Sequence, residues 1–211
     1  MERARYIAIE GPIGAGKTTL ANLLVERMGG RLVSEPVDEN PFLGSFYEDR
    51  RKHAFQTQLF FLLSRFQQQQ GLFQQDLFDQ VTVADYLFAK DRIFAALNLD
   101  ANELALYEQI YALLGGRTVK PDLVVYLQAR QDVLLSRIRR RGRPFERHLD
   151  PAYLDALGKV YNDFFFHYDD APLLVVNTSD IDLAASAADA DALIAVIRRH
   201  RKGTQHYNPT R

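Results

Sequence analysis

The chain has 211 residues, 47% of them hydrophobic, enough for one domain with a sizeable core. Its formal charge is -1, which argues against a nucleic-acid binder, whose basic character would spread over several elements. It holds no cysteine, so disulfides and thiolate metal sites are excluded, and no apolar run reaches the roughly 18 residues that suggest a membrane span.

The opening MERARYIAIEG enters a strand-like segment at once and leaves no room for a signal peptide, so a cytoplasmic protein is expected. The first predicted strand is Tyr6–Glu10. It runs directly into GPIGAGKT, Gly11 to Thr18, which satisfies G-x-x-x-x-G-K-[ST]. Glycines let such a loop curl so that its N–H groups face phosphate oxygens, and the following helix adds its dipole. The expected phosphate contacts are Gly11, Gly14, Ala15, Gly16, Lys17, Thr18 and Thr19. Lys17 would reach the β and γ oxygens, and Thr18 could ligate Mg²⁺. A nucleoside triphosphate with Mg²⁺ follows; the motif does not say what is done with it.

The helix predicted from Lys17 to about Met28 stops at Gly29-Gly30. A second strand, Arg31–Ser34, ends in SEPVDENPFL, which puts Glu35 at a strand's C-terminal end, where open α/β sheets bind ligands. A carboxylate there can accept a proton from an attacking hydroxyl. A long helix is predicted over about Arg50 to Gln70. Gln58, Phe61 and Arg65 fall on one of its faces; Phe55, Leu59, Leu62 and Phe66 form an adjacent apolar stripe expected in the core. The run Gln67–Gln70 reads as a solvated face.

The third strand is placed at Gln80–Ala84, a helix at Ala101–Leu114 and the fourth strand at Leu123–Leu127. Helices follow at Gln131–Arg140 and Pro151–Tyr168, then a fifth strand at Leu173–Asn177 and a helix at Ala185–Arg201. The final KGTQHYNPTR, about 202–211, is expected to fray. Short strands apolar on both faces, alternating with helices, predict a single α/β domain built on five parallel strands. The aromatic run YNDFFFHY, 161 to 168, is either core or a helix–helix dimer surface. RIRRRGRPFER, 137 to 147, packs six arginines into eleven positions on a nearly neutral chain. So local an excess suits a small anion better than a polynucleotide.

The phosphate loop, EPVDENPF, the helix segment FQTQLFFLLSRF and the arginine segment occur in an order that resembles the deoxynucleoside kinases, over nearly the full length. The resemblance implies a P-loop kinase that phosphorylates the 5′-hydroxyl of a deoxynucleoside in nucleotide salvage, as a homodimer. Glu35 matches the family's general base and Gln58 the glutamine that reads the base edge. Arg65 and Asp91 match positions that separate purine and cytosine acceptors from thymidine, and the chemistry agrees: a carboxylate accepts from an exocyclic amine, and arginine suits guanine's O6 and N7. Tyr47 and Glu146 match the pair that holds the sugar 3′-hydroxyl. The arginine segment resembles a lid hinged at Gly142, with Arg137, Arg141 and Arg143 facing phosphate and Arg139, Arg140 and Arg147 solvated. Arg141 and Arg143 would join Lys17 and Glu35 as catalytic groups.

One departure stands out. The family's third strand ends in an acidic residue followed by arginine; this chain reads VTVADYLFAKDR. Asp85 takes the acidic position and is assigned to Mg²⁺, directly or through water. Tyr86 stands where the arginine belongs, and Lys90 and Arg92 are the candidates to replace it. Two rival readings stay open: a nucleoside monophosphate kinase, and a non-catalytic nucleotide-binding subunit of the same fold.

Overall fold

The computed structural model describes residues 5–74, 81–115, 118–147 and 149–209. Six strands form one sheet: β1 (Tyr6–Glu10), β2 (Gly30–Val33), β3 (Val81–Ala84), β4 (Leu123–Gln128), β5 (Leu173–Asn177) and β6 (Thr204–Tyr207). All neighbours pair in parallel, in the order β2-β3-β1-β4-β5-β6. Among the described residues eight α-helices connect them: α1 (Lys17–Met28), α2 (Leu43–Glu48), α3 (Arg50–Gln74), α4 (Lys90–Asn98), α5 (Ala101–Gly115), α6 (Gln131–Arg141), α7 (Pro151–Phe166) and α8 (Ala187–Arg199).

The expectation of five strands is corrected to six. The sixth lies in the segment expected to fray: Thr204–Tyr207 pairs with β5, Leu173 opposite Thr204 and Val176 opposite Tyr207. It is a mostly exposed edge strand of polar residues, so it lacks the apolar run by which the others are recognised. Gln80, expected in the third strand, falls outside the described residues.

Both faces of the sheet are covered, and the strands feed them alternately. Ile7 and Ile9 of β1 join Val125 and Leu127 of β4 against α1, α6 and α8, through Leu20, Leu24, Leu134, Ile138, Leu193 and Ile197. Ala8, Val124, Tyr126 and Val175 face the other way, against Ile93 of α4 and Leu157, Tyr161 and Phe165 of α7. A further helical layer joins Leu62 of α3, Ala95 of α4 and Tyr107 of α5. Each large side chain buried in this way stabilises the fold by about 1.5–3 kcal/mol.

Local signals set the helix ends. Asp150 caps α7 by accepting from the Ala152 N–H at 2.9 Å, with Pro151 preset as its first residue. Ser186 caps α8 through the Asp189 N–H at 3.2 Å. α6 ends at Gly142, whose φ of 70° is the left-handed conformation that a side chain would resist. β1 lies between β3 and β4, where the chain crosses from one half of the sheet to the other. The crevice beyond the carboxyl ends of these strands is where this topology binds ligands.

Candidate active site

The loop after β1 wraps closely around its own backbone. A Cβ at Gly11, where φ is 154°, would lie 2.4 Å from the carbonyl oxygen of Leu127, so only glycine fits between the loop and β4. α1 opens on Lys17 with no acidic residue in its first turn, leaving the positive end of its dipole to an anion. Lys17 Nζ donates to the carbonyls of Gly11 at 2.7 Å and Pro12 at 3.2 Å. Burial, with the charge of Lys90 adding to it, pulls its ammonium down to about 8 against the opposing influence of Glu10, Glu35 and Asp85.

Two cavities of about 300 Å³ each flank this loop, at the lower end of the size range of small-molecule sites. The outer one is lined by Gly14, Ala15, Gly16 and Thr19 of the loop, by Arg137, Arg140 and Arg141 of α6, and by Thr178 and Asp182–Ala184 after β5. The inner one gathers Lys17, Thr18, Glu35, Tyr47, Gln58, Arg65, Asp85, Arg143 and Glu146, with Phe61 and Phe94 as apolar walls. Arg141 lines both. Gln58, Phe61 and Arg65 do share the cavity-facing side of α3.

Glu35 sits where the expectation placed it, just beyond β2. Its N–H donates to Asp85 Oδ1 at 2.8 Å, and Asp85 Oδ2 accepts from the Thr18 hydroxyl at 2.7 Å. One carboxylate thus ties the ends of β2 and β3 to the first turn of α1. The Glu35 side chain accepts from Arg65 on one oxygen and from Lys90 Nζ, at 2.9 Å, on the other. Burial alone would raise its pKa; these two cations hold the carboxyl well below the usual range instead.

The structure relocates several assigned groups. Asp91 lines neither cavity: it is fully buried behind Arg65, with which it is paired, so it faces a ligand only through that arginine. Arg65 itself bridges Asp91 and Glu35, its guanidinium 5.1 Å from the Phe61 ring and 5.8 Å from that of Tyr86. Gly11 turns its N–H away from the cavities, onto Glu10 Oε1 at 2.8 Å. Arg137 donates to the Thr178 hydroxyl at 2.9 Å and to the carbonyls of Thr178 and Ile181 at 2.7 and 2.8 Å, so it braces the wall of the outer cavity. Arg140, expected to be solvated, reaches Asp182 at 3.0 Å while staying largely exposed.

Two arginines of the segment that the resemblance reads as a lid are also held. Arg141 pairs with the buried Glu146, and Arg143 lies 3.7 Å from Asp38 and over the Phe145 ring. Tyr47 stacks on Phe145 with centroids 5.8 Å apart, close to Glu146 on the same wall. Tyr86 is buried with Tyr6, Leu72 and Ala84 and does not line the inner cavity. Of the two candidate substitutes for the arginine missing there, Arg92 points outward to Glu108 at 3.0 Å, whereas Lys90 lines the inner cavity.

Glu10 escaped the sequence reading. This fully buried carboxylate accepts from the N–H groups of Gly11 and Leu87 and from the Tyr161 hydroxyl, at 2.8, 2.9 and 3.0 Å. A charged residue closing an otherwise apolar strand, one position before the phosphate loop, was the available signal. Of the aromatic run, Tyr161 and Phe165 are core and Phe166 is exposed. Among the described residues no three His, Cys, Asp or Glu side chains gather as metal ligands, and no helix is long and apolar enough to cross a membrane.

The chain is similar to known proteins in sequence and in fold. The family model described as deoxynucleoside kinase matches residues 7–201. A deoxyguanosine kinase of Bacillus subtilis is 40% identical over 86% of this chain and 89% of its own. A deoxyadenosine kinase of Lactobacillus acidophilus is 30% identical over 86% of this chain and 89% of its own. Among solved structures, deoxyadenosine kinase from M. mycoides with bound dCTP superposes with a TM-score of 0.76 at 28% identity, covering 90% of this chain and 97% of that one.

Proposed function

The chain belongs to the deoxynucleoside kinase family, and from that premise we propose that it moves the γ-phosphoryl group of ATP to the 5′-hydroxyl of a deoxynucleoside carrying a purine or cytosine, not thymine. The observation that carries this reading is the pair of cavities on either side of the phosphate loop, with Arg141 common to both and an ionised Glu35 in the inner one. The triphosphate takes the outer cavity and the loop; the nucleoside takes the inner one. Gln58 offers a donor and an acceptor to the base edge, with the Asp91-held Arg65 beside it. Tyr47 and Glu146 hold the sugar 3′-hydroxyl.

In the transfer, an oxygen lone pair of the 5′-hydroxyl forms the new bond to Pγ. The bond from Pγ to the β,γ-bridging oxygen breaks, its electrons leave with ADP, and the hydroxyl proton passes to Glu35. Arg65 and Lys90 stabilise the Glu35 carboxylate and lower its basicity, so it takes the proton as bond formation to Pγ makes the hydroxyl acidic. Lys17 and Arg141 sit where charge grows on the phosphoryl oxygens.

Thr18 and Asp85 would hold Mg²⁺: both offer hard oxygens, 2.7 Å apart beside the loop. It would neutralise charge on the β and γ phosphates. We place the enzyme in the cytoplasm, where triphosphate is abundant, acting in nucleotide salvage. We propose a homodimer, with the largely exposed Leu113 and Phe166 as candidate contacts.

A monophosphate acceptor would need cations for its phosphate. Arg65 and Lys90 in the inner cavity are already engaged by Glu35 and Asp91, which favours an uncharged nucleoside. The test is incubation with labelled ATP, Mg²⁺ and a panel of nucleosides and monophosphates. Deoxyadenosine, deoxyguanosine or deoxycytidine should be labelled first. Thymidine or a monophosphate as best acceptor would overturn the substrate assignment, and no transfer to any acceptor would favour a non-catalytic subunit.

A further inference from the structure

Lys90 occupies an unfavourable place. It is the first residue of α4, where the helix dipole disfavours a cation. It is buried, and burial penalises an ammonium unless it is paired. Its charge also opposes that of Lys17. A residue that served only the helix would avoid all three conditions. What it gains is Glu35, whose Oε2 accepts its Nζ at 2.9 Å, while the Phe94 ring lies 5.4 Å from the ammonium. Glu35 has two carboxylate oxygens, and each has its own cation: Arg65 on one, Lys90 on the other. Two cations on two oxygens fix the carboxylate plane, and the proton of an incoming hydroxyl is left the remaining lone pairs.

We propose that Lys90 is the positioning residue of this active site, setting Glu35 in its proton-accepting orientation from the first turn of α4. The strand-end position 86 supplies no cation, because Tyr86 there is built into the core. Arg65 cannot serve alone, since it is shared with Asp91. Arg65 and Lys90 are the two cations paired with Glu35 and Asp91, and without Lys90 one cation is left for two carboxylates. The inference rests on the kinase reading above and adds to it a residue that acts through the base.

The experiment is a steady-state cycle of Lys90→Met and Lys90→Arg, each in the wild-type and the Glu35→Gln background, with thermal melts of every variant. Lys90→Met should lower kcat by about tenfold or more, part of the roughly 10²–10⁴ that a positioned base contributes. Both KM values should move by less than about threefold, because the Lys90 ammonium is spent on Glu35 and acts through it. Lys90→Arg should recover most of the loss. In the Glu35→Gln background, Lys90→Met should cost less than about threefold more, since the group it positions is already disabled. Should Lys90→Met not fold, Lys90→Gln, which keeps a polar donor without the charge, is held to the same criteria. A kcat within about twofold of wild type, or a loss that multiplies fully with that of Glu35→Gln, would overturn the assignment while leaving the kinase intact. A wild-type protein that labels no nucleoside would overturn the kinase reading itself, and this one with it.

Discussion

Replacing Arg65 by methionine removes one half of a buried ion pair and leaves the other half stranded. Asp91 is fully buried and Arg65 nearly so, with side-chain exposures of 0% and 3%. Breaking such a pair from one side costs about 3–5 kcal/mol, because an uncompensated charge remains inside. In a chain of this size each kcal/mol lowers Tm by about 2–4 °C, so Arg65→Met should melt roughly 6–20 °C below wild type. Adding Asp91→Ala removes the stranded carboxylate and should return a large part of the loss, although the double variant is the more heavily altered protein. Lys120 and Asp170 provide an internal control: their 3.0 Å pair is 75% and 61% exposed, and Asp170→Ala should cost no more than about 1 kcal/mol. Thermal and urea melts followed by circular dichroism give these values, with Asp91→Ala measured alone as the second single of the cycle. A loss below about 1 kcal/mol in Arg65→Met, or a double variant less stable than the sum of its singles, would refute the buried-pair reasoning. The same double variant should accept thymidine better than wild type does, as the groups beside Gln58 shrink.

Lys17→Ala should abolish most phosphoryl transfer while leaving the melting curve near that of wild type, because among the described residues the ammonium hydrogen-bonds to carbonyls of its own loop; wild-type turnover would remove its assigned role. Arg141→Ala and Arg143→Ala should each lower kcat more than ATP affinity, as expected of groups that act on growing charge. Tight polynucleotide binding that weakens steeply with salt, together with unchanged turnover in both, would instead make the segment a nucleic-acid arm. Tyr161→Phe removes the hydroxyl that donates to Glu10 at 3.0 Å and should cost about 1.5–3 kcal/mol in a urea melt, the range for a hydrogen bond to a charged group; no change would show that Glu10 is satisfied without it.

Legibility in the sequence followed physical cause. β1 was read to the residue and α1 closely, because an apolar run, a glycine loop and a double-glycine stop bracket them. The face shared by Gln58, Phe61 and Arg65 followed from helical period alone. α2 was missed since six residues carry too little periodicity to register. β6 was missed since an edge strand of polar residues looks like any exposed tail. In the site, residue types were visible and partnerships were not. Arg65 and Asp91 lie on different helices and find each other only through the fold. The partners of Arg137 include main-chain carbonyls, which carry no sequence signature. Tyr86 raised the question of a missing cation, and only the packing of α4 distinguished Lys90 from Arg92.

The fully buried Glu10 has a counterpart at the other end of the same strand. Asp122, just before β4, accepts the N–H groups of Arg5 and Tyr6 at 2.8 and 2.9 Å. β1 is apolar on both faces up to Glu10, so hydrophobicity barely distinguishes one strand alignment from the next. The two carboxylates do distinguish them. A slip of one residue against β3 or β4 would still bury Ile7, Ala8 and Ile9, but it would part Glu10 from Leu87 or Asp122 from the main chain of β1. Acidic side chains at the two ends of the central strand thus act as alignment pins. They hold the phosphate loop at one height above the sheet, and a slipped β1 would carry Lys17 and Thr18 out of line with Asp85.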